Sequence, residues 1–394
     1  MAKPFDPRKI LKQVDNSLLR QFFAARGELG GVPWDELTEH KIEPVFEAWQ
    51  ALPEARKHEV QIILRDIADL SDHRGRAVLA EEVLLLCPDR AAEFEVQQSK
   101  ADNAMWVYLN LPEAFAEAAM FARADSLPQS QWRKRNGLPM RSIVADESMC
   151  AALADELTSF YGPQQMRGRQ CKVVHYRRPG GADYFFAYLD DYPDKRLVFE
   201  ASNDQPIVRS DRGAFENVFV FTADEGAMEI FAPGISKSWE PMQKLFGRAI
   251  LGEEIPPADP LRPSYRLDHL LRPDFPLPTM PEDRVEDARI TRLRLLPRGS
   301  GGYIEIKADP RGGRFDIYRK IERFIRMENI PLEGTRVLQA SFALKFIHEG
   351  RGRQPQMTFN ITAPHSSDLR HKRDEHRVVA ERCLRLWEVT DVAR

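Results

Sequence analysis

The sequence predicts a mixed α+β protein of several domains. An all-α N-terminal domain comes first. α+β domains built of β-hairpins and helices follow, the last in ββαββα order. Three observations lead there. Apolar residues recur at helical spacing through the first 161 residues. Beyond Gly162-Pro163 the text changes to short apolar and aromatic runs punctuated by glycine-containing turns. A proline-dense stretch at 255–285 then separates two such blocks. At 394 residues, with 43% hydrophobic content, the chain is long for one core and ample for several.

In chain order, Asn16 is the expected cap of a helix bearing Leu18, Leu19, Phe22 and Phe23, with Gly27 beyond its end. Pro53 is placed to open a helix carrying Val60, Ile63, Leu64, Ile67 and Leu70 on one stripe. Pro112 opens another with Phe115, Ala119 and Phe121 inward. Residues 1–161 are thus expected to form the α-helical domain. Residues 162–254 read as an α+β hairpin domain. Segments 171–176 and 184–189 flank Pro179-Gly180-Gly181, and 217–222 and 227–231 flank Asp224-Glu225-Gly226. Ser236 is the expected cap of a helix with Trp239, Met242, Leu245 and Phe246.

Pro256-Pro257, Pro260, Pro263, Pro273, Pro276, Pro278 and Pro281 make 255–285 a linker or belt. Leu267, Leu270, Leu271 and Phe275 within it favour a belt laid on a domain surface. The basic α+β domain, 286–394, repeats the hairpin grammar. Strands at 290–296 and 303–308 precede a helix with Phe315, Tyr318, Ile321, Phe324 and Ile325. A second hairpin, 337–348 with 357–362, precedes a last helix at about 374–387. The turn text at 293–301 echoes that at 173–181, which raises internal duplication as an expectation to check.

Charge is divided unevenly. Residues 286–394 hold 22 Lys+Arg against 15 Asp+Glu, a net of +7, within a chain whose net is −3. A basic end on an acidic body calls for an anionic partner or for docking between the two parts. No secretory signal follows Met1, and the apolar run Val83-Leu84-Leu85-Leu86-Cys87 falls far short of the ~20 residues that span a bilayer. The four cysteines are scattered, with no CxxC pair, which fits a reducing, cytoplasmic setting. Arginine outnumbers lysine 42 to 15, a bias of GC-rich, bacterial genomes. P-loop, dinucleotide-fold and nucleophile-elbow motifs are missing.

Two constellations could carry chemistry. Glu305-Ile306-Lys307 lies on an expected strand, with Asp287 before the preceding one. An acid, a hairpin and then Glu-x-Lys resembles the metal site of PD-(D/E)xK nucleases. That resemblance covers about twenty residues and lacks the proline before the aspartate. It implies that Asp287 and Glu305 hold Mg²⁺ while Lys307 steers the attacking water. Without it, Tyr303, Glu305 and Lys307 are one solvated face of a strand. No metal or other cofactor is expected outside that alternative. His365, His371 and His376 are close in sequence, but their spacing does not suit a helical ligand pair.

The basic constellation comprises Arg351 and Arg353 at a glycine-rich hairpin tip, with Arg370, Lys372, Arg373 and Arg377 around the start of the last helix. The expected function is therefore an intracellular binding or scaffold protein. Its basic end would contact nucleic acid or an acidic protein partner, and no membrane is involved. A metal-dependent nuclease and a structural subunit of a larger assembly are the alternatives.

Overall fold

The structure is a computed structural model. It describes residues 5–390 apart from 179, 200–204, 274, 300, 310–312, 314, 329–332, 349–353 and 373. The protein is mixed α+β, a helical region followed by two antiparallel five-stranded sheets with helices. The chain divides into two compact units, 1–126 and 127–394.

The first unit is helical: α1 (Pro7–Leu11), α2 (Asn16–Ala24), α3 (Glu43–Gln50), α4 (Glu54–Asp69), α5 (His73–Leu86), α6 (Ala91–Glu95), α7 (Lys100–Asn110) and α8 (Pro112–Ser126). Asp15, not Asn16, caps α2, its carboxylate accepting from Ser17 N at 2.8 Å. Asn16 instead donates its side-chain amide to Leu37 O at 3.2 Å. The capping box of α7 pairs Ser99 with Asp102. The Asp102 carboxylate also accepts from Asp15 N at 2.7 Å, so one side chain ties the starts of two helices. Gly75 lets α5 begin hard against the preceding turn, because a Cβ there would sit 2.2 Å from Leu70 O. Leu18, Leu19, Phe22, Phe23, Val60, Leu64 and Ile67 are buried, as their spacing requires.

The second unit begins with a strand inside the stretch expected to be all helix. Strand β1 (Trp132–Arg135) pairs with the strand Ala227–Phe231, and its Trp132 ring lies 5.6 Å from Phe231. Four residues are too few to show a period. Helix α9 (Glu147–Gln165) follows, then β2 (Cys171–Arg177), β3 (Ala182–Val198), β4 (Ile207–Thr222) and β5 (Ala227–Phe231). The first sheet has the order β1-β5-β4-β3-β2. Helix α10 (Ile235–Phe246) starts after Gly234, two residues ahead of the expected Ser236 cap. Phe246 reaches the sheet, 5.4 Å from Phe219 and 5.6 Å from Phe185. Tyr184, Phe186, Val218 and Val220 on the other face are buried too.

The second sheet contains β6 (Val285–Leu296), β7 (Ile304–Lys307), β8 (Arg336–Phe346), β9 (Gln356–Thr362) and the two-residue β10 (Ser366–Ser367), in the order β10-β9-β8-β6-β7. Helix α11 (Asp316–Glu328) lies between β7 and β8 in the chain, and α12 (Asp374–Leu386) follows β10. One face carries the core. Leu293, Phe342 and Phe359 meet Ile317 and Ile321 of α11 and Leu384 and Trp387 at the chain's end. Tyr265, Leu267, Leu270, Phe275 and Leu277 from the proline-dense stretch are buried in the same core. Trp387 donates its indole N–H to Pro278 O at 2.8 Å, and Tyr318 its hydroxyl to Leu270 O at 3.1 Å.

The two sheets are wired differently. In the first, β2 to β5 run as a meander. In the second, β6 sits between β7 and β8, with α11 intervening in sequence. The echo between 173–181 and 293–301 therefore joins an edge strand to a central one in one case and a central strand to an edge in the other. A tandem copy would keep that order. Edge strands β1 and β10 lie side by side, with Lys134 N donating to His365 O at 2.8 Å. Among the described residues no helix is long and apolar enough to cross a membrane.

Candidate functional site

Alternation along β6 places Leu293 and Leu295 in the core and leaves Arg292 and Arg294 on the opposite, polar face. The antiparallel register sets Arg292 across from Lys307 and Arg294 across from Glu305. Glu305 is then shared by three cations: Arg294 Nη2 at 3.0 Å, Lys307 Nζ at 3.1 Å and Arg292 Nη1 at 3.7 Å. Hydrogen bonds from Arg294 and Lys307 hold its carboxyl below the ordinary range. Three positive groups around one carboxylate leave a local excess of two positive charges.

The arginines are held in place. Arg292 donates to Ser341 Oγ at 2.9 Å and to Asn360 Oδ1 at 2.8 Å. Asn360 in turn donates its side-chain amide to Asp368 at 2.6 Å, and Lys372 pairs with Asp368 at 3.5 Å. A polar ladder thus crosses β6, β8 and β9. Arg294 lies 4.4 Å from the centroid of the Tyr303 ring, which is 58% exposed. The Nε of Arg294 is buried and has no acceptor among the described residues.

Asp287 is not part of this cluster. It sits opposite Lys345, seven residues before Arg294 along β6, roughly 20 Å away at strand rise. Its near neighbour is Arg289 at 4.0 Å. Glu305 and Lys307 are together and Asp287 is apart, so the register does not give the two-carboxylate arrangement that the nuclease resemblance implies. Among the described residues no group of three His, Cys, Asp or Glu side chains could hold a metal ion.

The three expected histidines diverge. His365 packs on Trp239 at 5.2 Å, His371 lies 3.2 Å from Gln129 Oε1, and His376 stacks on Phe346 at 4.4 Å. Burial pushes the thiols of Cys171 and Cys383 up to about 12, which keeps both protonated at neutral pH.

Arg351, Arg353 and Arg373 lie outside the described residues. The other members of the basic constellation are engaged within the second unit. Arg370, its side chain 10% exposed, pairs with Glu229 of β5 at 2.5 Å and stacks 4.0 Å over Trp132 of β1. Lys372 is paired with Asp368, and Arg377 lies 3.9 Å from Glu381. Arg385 of α12 and Lys134 of β1 both meet Glu225, at 3.4 and 3.5 Å. Burial opposes ionisation of Glu229, but Arg370 and Lys134 outweigh it and hold the carboxyl down at about 2. This basic stretch forms a seam of ion pairs between the two sheets.

Sequence reasoning missed Arg292 and Arg294, although the run Thr291-Arg292-Leu293-Arg294-Leu295 carries the period-two signal. What no spacing could supply was the register that gathers them around Glu305. No protein-family model matches this chain, and no curated protein matches it significantly.

Proposed function

We propose that this protein binds single-stranded nucleic acid on the polar face of its second sheet. The observation that carries the reading is the convergence of Arg292, Arg294 and Lys307 on the single carboxylate of Glu305. A phosphate is the anion that would complete it, since guanidinium pairs match phosphate oxygens and the ladder has already ordered Arg292. Tyr303 stands beside the cluster with its ring exposed, the element a base would stack on. Phosphate-binding cations next to an aromatic platform favour a single strand over a duplex, whose bases are stacked on each other. In this reading the second sheet with α11 and α12, within 286–394, does the binding, and the rest of the chain carries it.

The test is a fluorescence-anisotropy titration of a labelled single-stranded oligonucleotide at two salt concentrations, about 50 and about 200 mM. Affinity should fall with salt at a slope of about −0.7 per phosphate contact. Replacing Arg294 and Lys307 with Ala should weaken binding and shrink that slope by up to about 1.4. Tyr303→Ala should cost about 1–3 kcal/mol and leave the slope unchanged. No binding at the lower salt, or equal affinity for polyglutamate, would sink the reading.

A further inference from the structure

Strands β3 and β4 outrun their sheet. β2 covers β3 only over Asp183–Leu189, and β5 covers β4 only from Val218 to Thr222. Beyond a bulge between Asp190 and Pro193, six pairs from Pro193/Arg212 to Val198/Ile207 are, among the described residues, bonded only to each other. Two strands alone are marginal in water. On the face away from Asp194 and Arg196, Leu197 and its partner Val208 are 69% and 64% exposed.

Its charges are arranged in an unusual way. Arg196 is directly opposite Arg209, and Asp194 directly opposite Asp211. Directly opposed residues share a face, and like charges so placed repel. Among the described residues each is offset by the same-strand neighbour two residues along: Arg196 to Asp194 at 3.7 Å and Arg209 to Asp211 at 3.0 Å, all well exposed. The result is one face bearing a basic stripe and, about 7 Å nearer the sheet, an acidic stripe.

We propose that this ribbon pairs face to face with the ribbon of a second copy of the chain. A two-fold axis between the stripes lays each basic pair over the partner's acidic pair, the self-complementarity that an isologous interface requires. A ribbon stacked in the same direction would set like charge on like. Most proteins of one charge sign would meet both stripes and match only one. The striping therefore selects a copy of itself, in antiparallel orientation. Val198 and Ile207 on the same face extend the contact beyond the basic stripe.

The experiment is sedimentation velocity on the full chain at low salt, with two charge-reversal variants, R196D/R209D and D194R/D211R. The wild type should dimerise. Each variant alone should have its dimer dissociation constant raised about tenfold or more, since all four stripe positions then repel. Mixed one to one, the variants should form a heterodimer, which also shows that both are folded. A monomeric wild type, a dimer that neither variant weakens, or a mixture that stays monomeric would overturn the proposal.

Discussion

The first sheet is buried on both faces and the second on one, and the two strand texts differ accordingly. β3 runs Tyr184-Phe185-Phe186-Ala187 without a polar break, and all four residues are buried. β9 runs Met357-Thr358-Phe359-Asn360-Ile361, and only the apolar members are buried. A continuous apolar run is what a strand with two dry faces needs, and alternation is what a strand with one wet face needs. Where it is covered on both faces, a sheet can only support. A half-open one has a surface left to present, and there the cation cluster lies.

The sharpest way to break this contrast is to make matched truncations, one on the face of the first sheet opposite Phe246 and one on the polar face of the second. Phe186→Ala should cost about 3–5 kcal/mol, the usual loss for a buried aromatic. Thr358→Ala, on the polar face of the second sheet, should stay within about 0.5 kcal/mol. Chemical denaturation of both variants measures the difference. Equal losses would mean that the polar face is also a packed one.

A smaller effect tests whether the seam joins the sheets energetically. Arg370→Met removes the hydrogen-bonded cation of Glu229 and leaves Lys134. Complete burial would make this a loss of about 3–5 kcal/mol, but Glu229 is only partly covered, so about 1–3 kcal/mol is expected after solvent screening. Its pH dependence has a definite sign. The carboxyl of Glu229 is held at about 2 when folded, below its ordinary 4.5. The pair therefore contributes fully above about pH 5, and its contribution is lost as pH falls toward 2. The gap between wild type and variant should close over that window. A gap independent of pH would place the loss in packing on Trp132 instead.

The smallest effect concerns His365, whose basicity burial and neighbouring arginines lower. A depressed histidine stabilises the fold when neutral, and that stability declines as pH drops below about 6.5. His365→Phe keeps an aromatic ring against Trp239 and should flatten the slope between pH 7 and 5, by a Tm change on the order of 1 °C. A steeper slope in the variant would contradict this.

Much of the fold was legible before any coordinates. The helical stripe of Leu18, Leu19, Phe22 and Phe23, the turns at Gly181 and Gly226, and the apolar belt residues Leu267, Leu270 and Phe275 announce their burial or geometry through local pattern. The candidate site was legible only in part. Glu305 and Lys307 could be picked out as a pair because they are two residues apart on one strand. Asp287 was grouped with them because it precedes the same hairpin, but sequence proximity does not measure position along a strand twelve residues long. Arg370 read as a free cation because its partner, Glu229, is 141 residues away.

The sequence by itself determined most of the helices, which longer strands alternate, where the chain turns and that its C-terminal third is basic. These follow from interactions within a few residues of each other. Tertiary structure alone decided which charges remain available. Strand order and register bring Arg292, Arg294 and Lys307 to one carboxylate, send Arg370 into a seam, and set Arg196 beside Arg209. Charge acts through space at short range, and only the folded chain fixes which distant residues come within a few ångströms of one another.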